Sequence, residues 1–287
     1  MKVGIQLYSV RQSLAKDAMG TLKALAKMGY KYWETAQFAA MTAMTNGYGL
    51  NLSVEDAQKF LADNDVKVVG AHVSTAQDLT KMGEVYAYHA AIGNRMVGIT
   101  GGFFDDKDDL LRKCELYNKL GEEAKTYGVM FYYHSHFHEF QKFDGEYVMD
   151  ILLANTDPEL VGFELDTYWA QRGGMDPVAL IEKYKSRLKF LHQKDIAKAY
   201  ADKVNLFETC VDPEKPIPLS LYREVMQKES FAEVGTGIMD IQPIIDAGNK
   251  VGVPYILLEQ DWTQRDEMES VQMSMDAFRR YSGIEWA

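Results

Sequence analysis

The chain has 287 residues, 47% hydrophobic and 25% charged, the composition of a globular protein with room for one large core. Its net charge of -11 excludes the basic stripe that a nucleic-acid backbone requires, and it disfavours anionic membranes for the same reason. Only Cys114 and Cys210 occur, so no disulfide framework is expected and a reducing compartment fits. No run approaches the ~18 apolar residues of a membrane span. The opening residues read as a strand and carry no signal-peptide core, so the expected location is cytoplasmic, although a chain trimmed of a secretion signal would read the same.

Short apolar runs alternate with longer segments whose apolar residues recur at three and four. Strand one is Val3–Leu7, and its helix carries Leu22, Leu25 and Ala26 and ends at Gly29, a C-cap glycine. Strand two is Lys31–Thr35. Ser53 and the acidic pair Glu55-Asp56 open a helix carrying Ala57, Phe60 and Leu61. Strands three and four are Val66–His72 and Arg95–Thr100, and a helix from about Asp108 to Thr126 leads to a fifth strand ending in the histidine-rich Tyr132–Glu139. Strand six, Leu160–Asp166, follows the turn signal Asn155-Thr156-Asp157-Pro158. Asp176-Pro177 starts a helix with proline in its first turn. Strand seven is Leu188–His192, strand eight is Tyr255–Glu259, and a last helix runs from about Arg265 to Tyr281.

Eight strands alternating with helices, with no linker, predict a single domain over residues 1–287, an α/β (β/α)8 TIM barrel. A doubly wound sheet would leave strands seven and eight as extras and lacks its Gly-x-Gly-x-x-Gly turn after strand one. Residues from about Ala197 to Phe231 are too long for a plain connection after strand seven and read as an insertion over the barrel mouth, with a lid, a subunit contact and a passive surface excursion as the alternatives.

Three of the six histidines fall at His134, His136 and His138, and in an extended segment they would share one face. A surface cluster without a ligand is the plain alternative. Other strands end in the same kind of residue: Glu34, His72, Glu164, Asp166, His192, Lys194 and Glu259 all fall at or near strand C-termini, where a barrel of this kind builds its site. Alternation puts Glu164 and Asp166 on one face and Phe163 and Leu165 on the other. Carboxylates packed that closely repel one another and need a cation. His134, Asp166, His192 and Glu259 form a mixed nitrogen and oxygen set, which suits one Mn²⁺, Co²⁺, Fe²⁺ or Zn²⁺ ion better than Ca²⁺ or Mg²⁺. Glu34, His72, Glu164 and Trp169 are expected to bind substrate.

These residues carry a resemblance. Tyr133-His134-Ser135-His136, Glu164-Leu165-Asp166-Thr167-Tyr168-Trp169, His192-Gln193-Lys194-Asp195, Glu233-Val234-Gly235-Thr236-Gly237 and Leu258-Glu259-Gln260-Asp261 resemble the sugar phosphate isomerase/epimerase superfamily of xylose-isomerase-like barrels, as does the opening Gly4–Arg11. The resemblance spans essentially the whole chain. It implies a TIM barrel with one divalent metal held by Asp166, His192, Glu259 and the first residue of the His134-Ser135-His136 triplet. It also implies that His136 contacts substrate, and that Lys194 and Trp169 touch hydroxyls and a sugar face. Members include ketose epimerases, isomerases, inosose dehydratase-type lyases and enzymes acting on oxidised glycosides. In many of them the triplet begins with glutamate, so His134 removes one of the two carboxylates of a symmetric epimerisation.

The expected reaction is isomerisation or epimerisation of a sugar or keto-sugar through an enediolate, with Glu259 or a metal-bound water taking the proton and His136 or Lys194 as partner acid. Loss of a β-hydroxyl or glycosyl oxygen would make it a lyase. No glycine-rich phosphate cradle is present, and Arg11 and Arg265 are scattered candidates for a phosphate. A nuclease of the apurinic-site type would need more metal ligands and a basic rim, and a non-catalytic sugar-binding barrel would not need the full ligand set. The partner is therefore a small carbohydrate, with no nucleic acid and no membrane. Tyr281 and Trp286 are candidates for a homo-oligomer contact.

Overall fold

A computed structural model describes residues 1–37, 50–75 and 78–286. Eight parallel strands close into a barrel: β1 (Lys2–Gln6), β2 (Tyr32–Gln37), β3 (Lys67–Val73), β4 (Met96–Ile99), β5 (Met130–His134), β6 (Val161–Asp166), β7 (Leu188–Gln193) and β8 (Tyr255–Leu258). Each pairs with its neighbours in sequence, and β1 pairs with β8 to complete the ring. The expected (β/α)8 barrel is the observed fold.

Alternation along each strand separates two cores. Outward residues such as Val97, Ile99, Phe131, Phe163, Leu165, Ile256 and Leu258 join the large apolar layer beneath the helices, while Tyr132, Phe190 and Leu257 form a small cluster inside the barrel. The helix Lys107–Thr126 buries Leu110, Cys114, Tyr117, Leu120 and Ala124 at helical spacing, and the Asp106 side chain caps its start by accepting from the Asp109 N–H. The helix Ala18–Met28 ends on Gly29 at φ 108°, a left-handed turn that glycine adopts without a Cβ penalty. Among the described residues both cysteines are free, Cys114 buried and Cys210 exposed. No described helix is long and apolar enough to cross a membrane.

Three boundaries differ from the sequence reading in ways that bear on the site. β5 ends at His134 and the chain turns into a short 3-10 helix at His138–Phe140, so His134, His136 and His138 do not share the face of one extended strand. β8 ends at Leu258, and Glu259 follows it with its N–H still donating to Gln193 O at 3.2 Å. The last helix is Glu267–Phe278, capped by Asp266. The segment after β7 is closed at its base by an antiparallel pair, Asp195–Ile196 with Phe231–Ala232, and it carries the helices Leu206–Thr209 and Leu219–Val225. Tyr222 on the second helix stacks on Phe137 with ring centroids 5.7 Å apart and meets His136 edge-on at 5.3 Å, which places this segment over the end of β5.

Candidate metal centre and active site

The register of four neighbouring strands assembles the site. His134 lies beside Glu164 across β5 and β6, Asp166 beside His192 across β6 and β7, and Leu257, two residues before Glu259, beside His192 across β7 and β8. The ligating atoms of His134, Asp166, His192 and Glu259 all come within 4.8 Å of one another, and all four side chains are buried. The residues expected to hold a metal are thus brought together as one donor set.

Lys194 enters the same space. Its ammonium donates to Asp166 Oδ2 and Glu259 Oε2 and lies 3.6 Å from Asp261 Oδ2. Asp166 Oδ1 is engaged separately, accepting the Trp169 N–H at 2.8 Å to cap the helix Thr167–Arg172. Asp261 is a site residue that the sequence reading quoted in a motif but gave no role. Its signal was the same two-residue alternation that links Glu164 to Asp166, continued past Glu259.

Glu34, His72 and Glu164 form a layer below. Glu164 precedes Asp166 by two residues on the same face of β6, about 6–7 Å further into the barrel. His72 Nε2 lies 2.6 Å from Glu164 Oε2 and 3.2 Å from Glu34 Oε1. Glu34 also accepts from the Gln6 amide at 2.7 Å and from the Tyr132 hydroxyl. All three side chains are fully buried and turned toward one another and toward His134 and His192.

The electrostatics follow from burial. Burial would lower the His192 pKa, but Glu164, Glu259 and Glu34 outweigh it and raise the value well above the ordinary one, so this ring favours a positive partner or a proton. Burial, with His192 and His72 adding to it, pushes His134 down to about 3, leaving a neutral ring with a lone pair. His136 is likewise held well below its ordinary value by burial and by His134 and His138. Burial would raise Glu259, yet Lys194 and His192 hold it well below the carboxylate range. Burial would lower Lys194, yet Asp166, Asp261 and Glu259 keep it protonated. Asp261 is pushed up to about 7 by burial and by Glu259 and Asp166, against the pull of Lys194. Three carboxylates, Asp166, Glu259 and Asp261, thus gather around the one ammonium of Lys194, while Glu34 and Glu164 lie against His72 and His192. That surplus of negative charge, with mixed nitrogen and oxygen donors, fits a divalent cation.

Beside this centre, the rings of His136, Phe137, Trp169 and Tyr222 make an aromatic wall with centroids 5.3–5.8 Å apart. His136 keeps some exposed surface, whereas Trp169 is 1% exposed and packs into the wall. His138 donates from Nε2 to Gly102 O at 2.9 Å and stacks on Phe103. Glu139 accepts from the Tyr133 hydroxyl at 2.6 Å and the His136 N–H at 2.8 Å, so these two residues shape the turn that presents His136. The Asp195 carboxylate accepts the N–H groups of Gly235, Gly237 and Met239, which makes the Gly235-Thr236-Gly237 turn a structural element. Arg11 is used on the carbonyls of Tyr8 and Asp261, and Arg265 lies beside Glu233 and Glu269.

A closed barrel with imidazoles and carboxylates converging at its C-terminal mouth defines a class of barrel enzymes. Comparison with known proteins makes this specific: the family model for the xylose isomerase-like TIM barrel matches residues 22–281, and the chain belongs to that family. An inosose dehydratase of Clostridium beijerinckii is 30% identical over 164 residues, covering 56% of this chain and 51% of that protein. The chain spans about half the length of the curated relatives it matches. A crystal structure of a sugar phosphate isomerase/epimerase from Parabacteroides distasonis superposes with a TM-score of 0.77 at 24% identity, over 99% of this chain and 95% of that one. A structure of the IOLI protein with a binding zinc atom superposes with a TM-score of 0.71 at 14% identity, over 97% and 96%. At these identities the two structures establish the shared fold.

Proposed function

We propose that this chain is a metal-dependent enzyme acting on a keto-sugar or keto-cyclitol, removing a proton beside the carbonyl and expelling a β-hydroxyl as water. The observation that carries this is the pairing of Glu259 with the ammonium of Lys194, a carboxylate base beside a fixed acid, where β5 supplies His134 and not an opposed carboxylate. An opposed pair of carboxylates suits epimerisation; one base and one acid side by side suit elimination. The inosose dehydratase relatives support the same reading.

His134, Asp166, His192 and Glu259 would hold the divalent ion, with Mn²⁺, Co²⁺, Zn²⁺ or Fe²⁺ favoured over Mg²⁺ by the two imidazoles. When bound, the ion polarises the substrate carbonyl and acidifies the neighbouring C–H. Glu259 Oε1 has no protein partner among the described residues and takes that proton as the C–H bond breaks and the C=C bond forms. Lys194 gives a proton to the departing hydroxyl as its C–O bond breaks, so one water leaves and the proton on Glu259 returns to Lys194 through their direct contact. Tyr222 and Trp169 exclude solvent from one side, and His136 offers a neutral ring to a hydroxyl.

Isomerisation or epimerisation shares the first proton transfer and stands as the second reading, because the contact between Lys194 and Glu259 also lets a proton be returned to the substrate. Incubation of Mn²⁺- or Zn²⁺-loaded protein with a panel of inososes and keto-sugars in D2O, followed by mass and NMR analysis, separates them. Loss of one water supports the dehydratase; deuterium in an otherwise intact or epimerised substrate overturns it in favour of the second reading.

A further inference from the structure

The lower carboxylate layer is attached to the metal centre in a particular way. His134 presents Nδ1 to Glu164 Oε2 at 3.0 Å, which leaves Nε2 without a hydrogen-bond partner among the described residues. His192 is turned the opposite way: Nε2 is 2.6 Å from Glu34 Oε2 and 3.0 Å from Glu164 Oε1, and Nδ1 is the nitrogen beside Glu259. A carboxylate accepts, so in each ring the nitrogen facing the lower layer carries the hydrogen; Nδ1 of His192 also faces a carboxylate, Glu259 Oε2 at 3.0 Å, and it presents a lone pair when a cation between them takes the place of a proton.

The backbone is built to hold this arrangement. The register of β2 against β3 shifts between Trp33 and Glu34, and that of β6 against β7 shifts between Phe163 and Glu164. Each shift passes over one residue of the partner strand, Val69 or Lys189, and sets the carboxylate opposite Gly70 or Phe190. Such bulges re-aim side chains at barrel sites. Gly70 adds a second requirement, because a Cβ there would lie 2.8 Å from Glu34 Oε1 and 3.0 Å from the Tyr132 hydroxyl. Gln6, Tyr132 and the absent side chain at position 70 together fix the Glu34 carboxylate against His192.

We infer that Glu34 and Glu164 are positioning residues that lock the two metal histidines in opposite tautomers, His192 ligating through Nδ1 and His134 through Nε2. This rests on the metal reading of the site but not on the reaction assigned to it.

The first test uses wild-type protein, uniformly ¹⁵N-labelled and loaded with Zn²⁺, with the imidazole nitrogens of both histidines assigned by NMR. The expected result is protonated Nε2 in His192 and protonated Nδ1 in His134; either ring in the other tautomer overturns the inference. The second measures Zn²⁺ dissociation constants by chelator competition. Glu34→Ala is expected to weaken binding about tenfold to a hundredfold. Glu34→Gln, which can keep an acceptor oxygen toward His192 while donating to the Tyr132 oxygen, should stay within about threefold of wild type by that same scale. Gly70→Ala should weaken binding in the direction of Glu34→Ala. If Glu34→Ala binds Zn²⁺ as tightly as wild type, or Glu34→Gln loses as much as Glu34→Ala, the positioning role is wrong. Because none of these readouts depends on turnover, they stand or fall separately from the dehydratase assignment.

Discussion

Replacing Asp166 separates metal binding from stability, because its two oxygens have different duties. Oδ1 caps the helix Thr167–Arg172, and Oδ2 meets Lys194 within the metal donor set. Asp166→Asn keeps an oxygen for the Trp169 N–H, whereas Asp166→Ala loses the cap at about 1 kcal/mol. Breaking a buried ion pair outright costs roughly 3–5 kcal/mol when the partner is orphaned. Here Lys194 retains Glu259 and lies 3.6 Å from Asp261, so that penalty is only partly incurred. The Asp166 charge is itself held against burial and against repulsion from Glu259, which raise its pKa despite the pull of Lys194, and removing the charge relieves that opposition. Asp166→Asn should therefore lie within about 1 kcal/mol of wild type, and Asp166→Ala about 1–2 kcal/mol below it. In a chain of this size each kcal/mol moves the Tm by about 2–4 °C. Metal analysis after equilibration with excess Mn²⁺ or Zn²⁺ and gel filtration should show about one equivalent in wild type and none in either variant or in His192→Ala. Stoichiometric metal in both Asp166→Ala and His192→Ala would refute the donor set.

The pH dependence of stability provides a different check. His134 has a folded pKa of about 3 against 6.5 for the free side chain, so the unfolded chain binds its proton first and stability is lost as pH falls from about 6.5 toward 3. Denaturant titrations in chelator should thus show the stability of wild type relative to His134→Gln falling by about 2 kcal/mol between pH 6.5 and 5; a difference that stays flat contradicts a neutral buried ring. Tyr222→Ala removes the stack on Phe137 and the edge contact with His136, and is expected to cost about 1–3 kcal/mol and to raise KM more than it lowers kcat. An unchanged KM would remove the segment after β7 from the site. Gly4→Ala would bring a Cβ to 2.3 Å from the Tyr32 carbonyl oxygen, where β1 adjoins β2, and should cost about 3 kcal/mol or more, read as a fall in Tm or in soluble yield.

The extent to which the sequence was legible depends on the range of the forces involved. Alternation of Phe163 and Leu165 with Glu164 and Asp166 is a local property of one strand, and it correctly separated the outer core from the barrel interior. It could not say how far along the barrel axis each inward residue lies relative to residues on other strands. That is set by register and by closure of the barrel: His134 lies opposite Glu164 across β5 and β6, and Glu34 reaches His192 across the barrel interior. The histidine triplet failed as a strand pattern because β5 runs out at His134, where the turn built by Glu139 and Tyr133 takes over.

The sequence by itself determined the eight-strand barrel, its polar C-terminal mouth and the set His134, Asp166, His192 and Glu259, since period-two patterning and strand ends are written residue by residue. Only the tertiary structure decided the pairing of Lys194 with Asp166 and Glu259, the approach of Asp261, the aromatic cover supplied by Tyr222, and the tautomer-setting layer beneath the histidines. Each of these joins residues far apart in the chain, and the closing of the barrel fixes their distances.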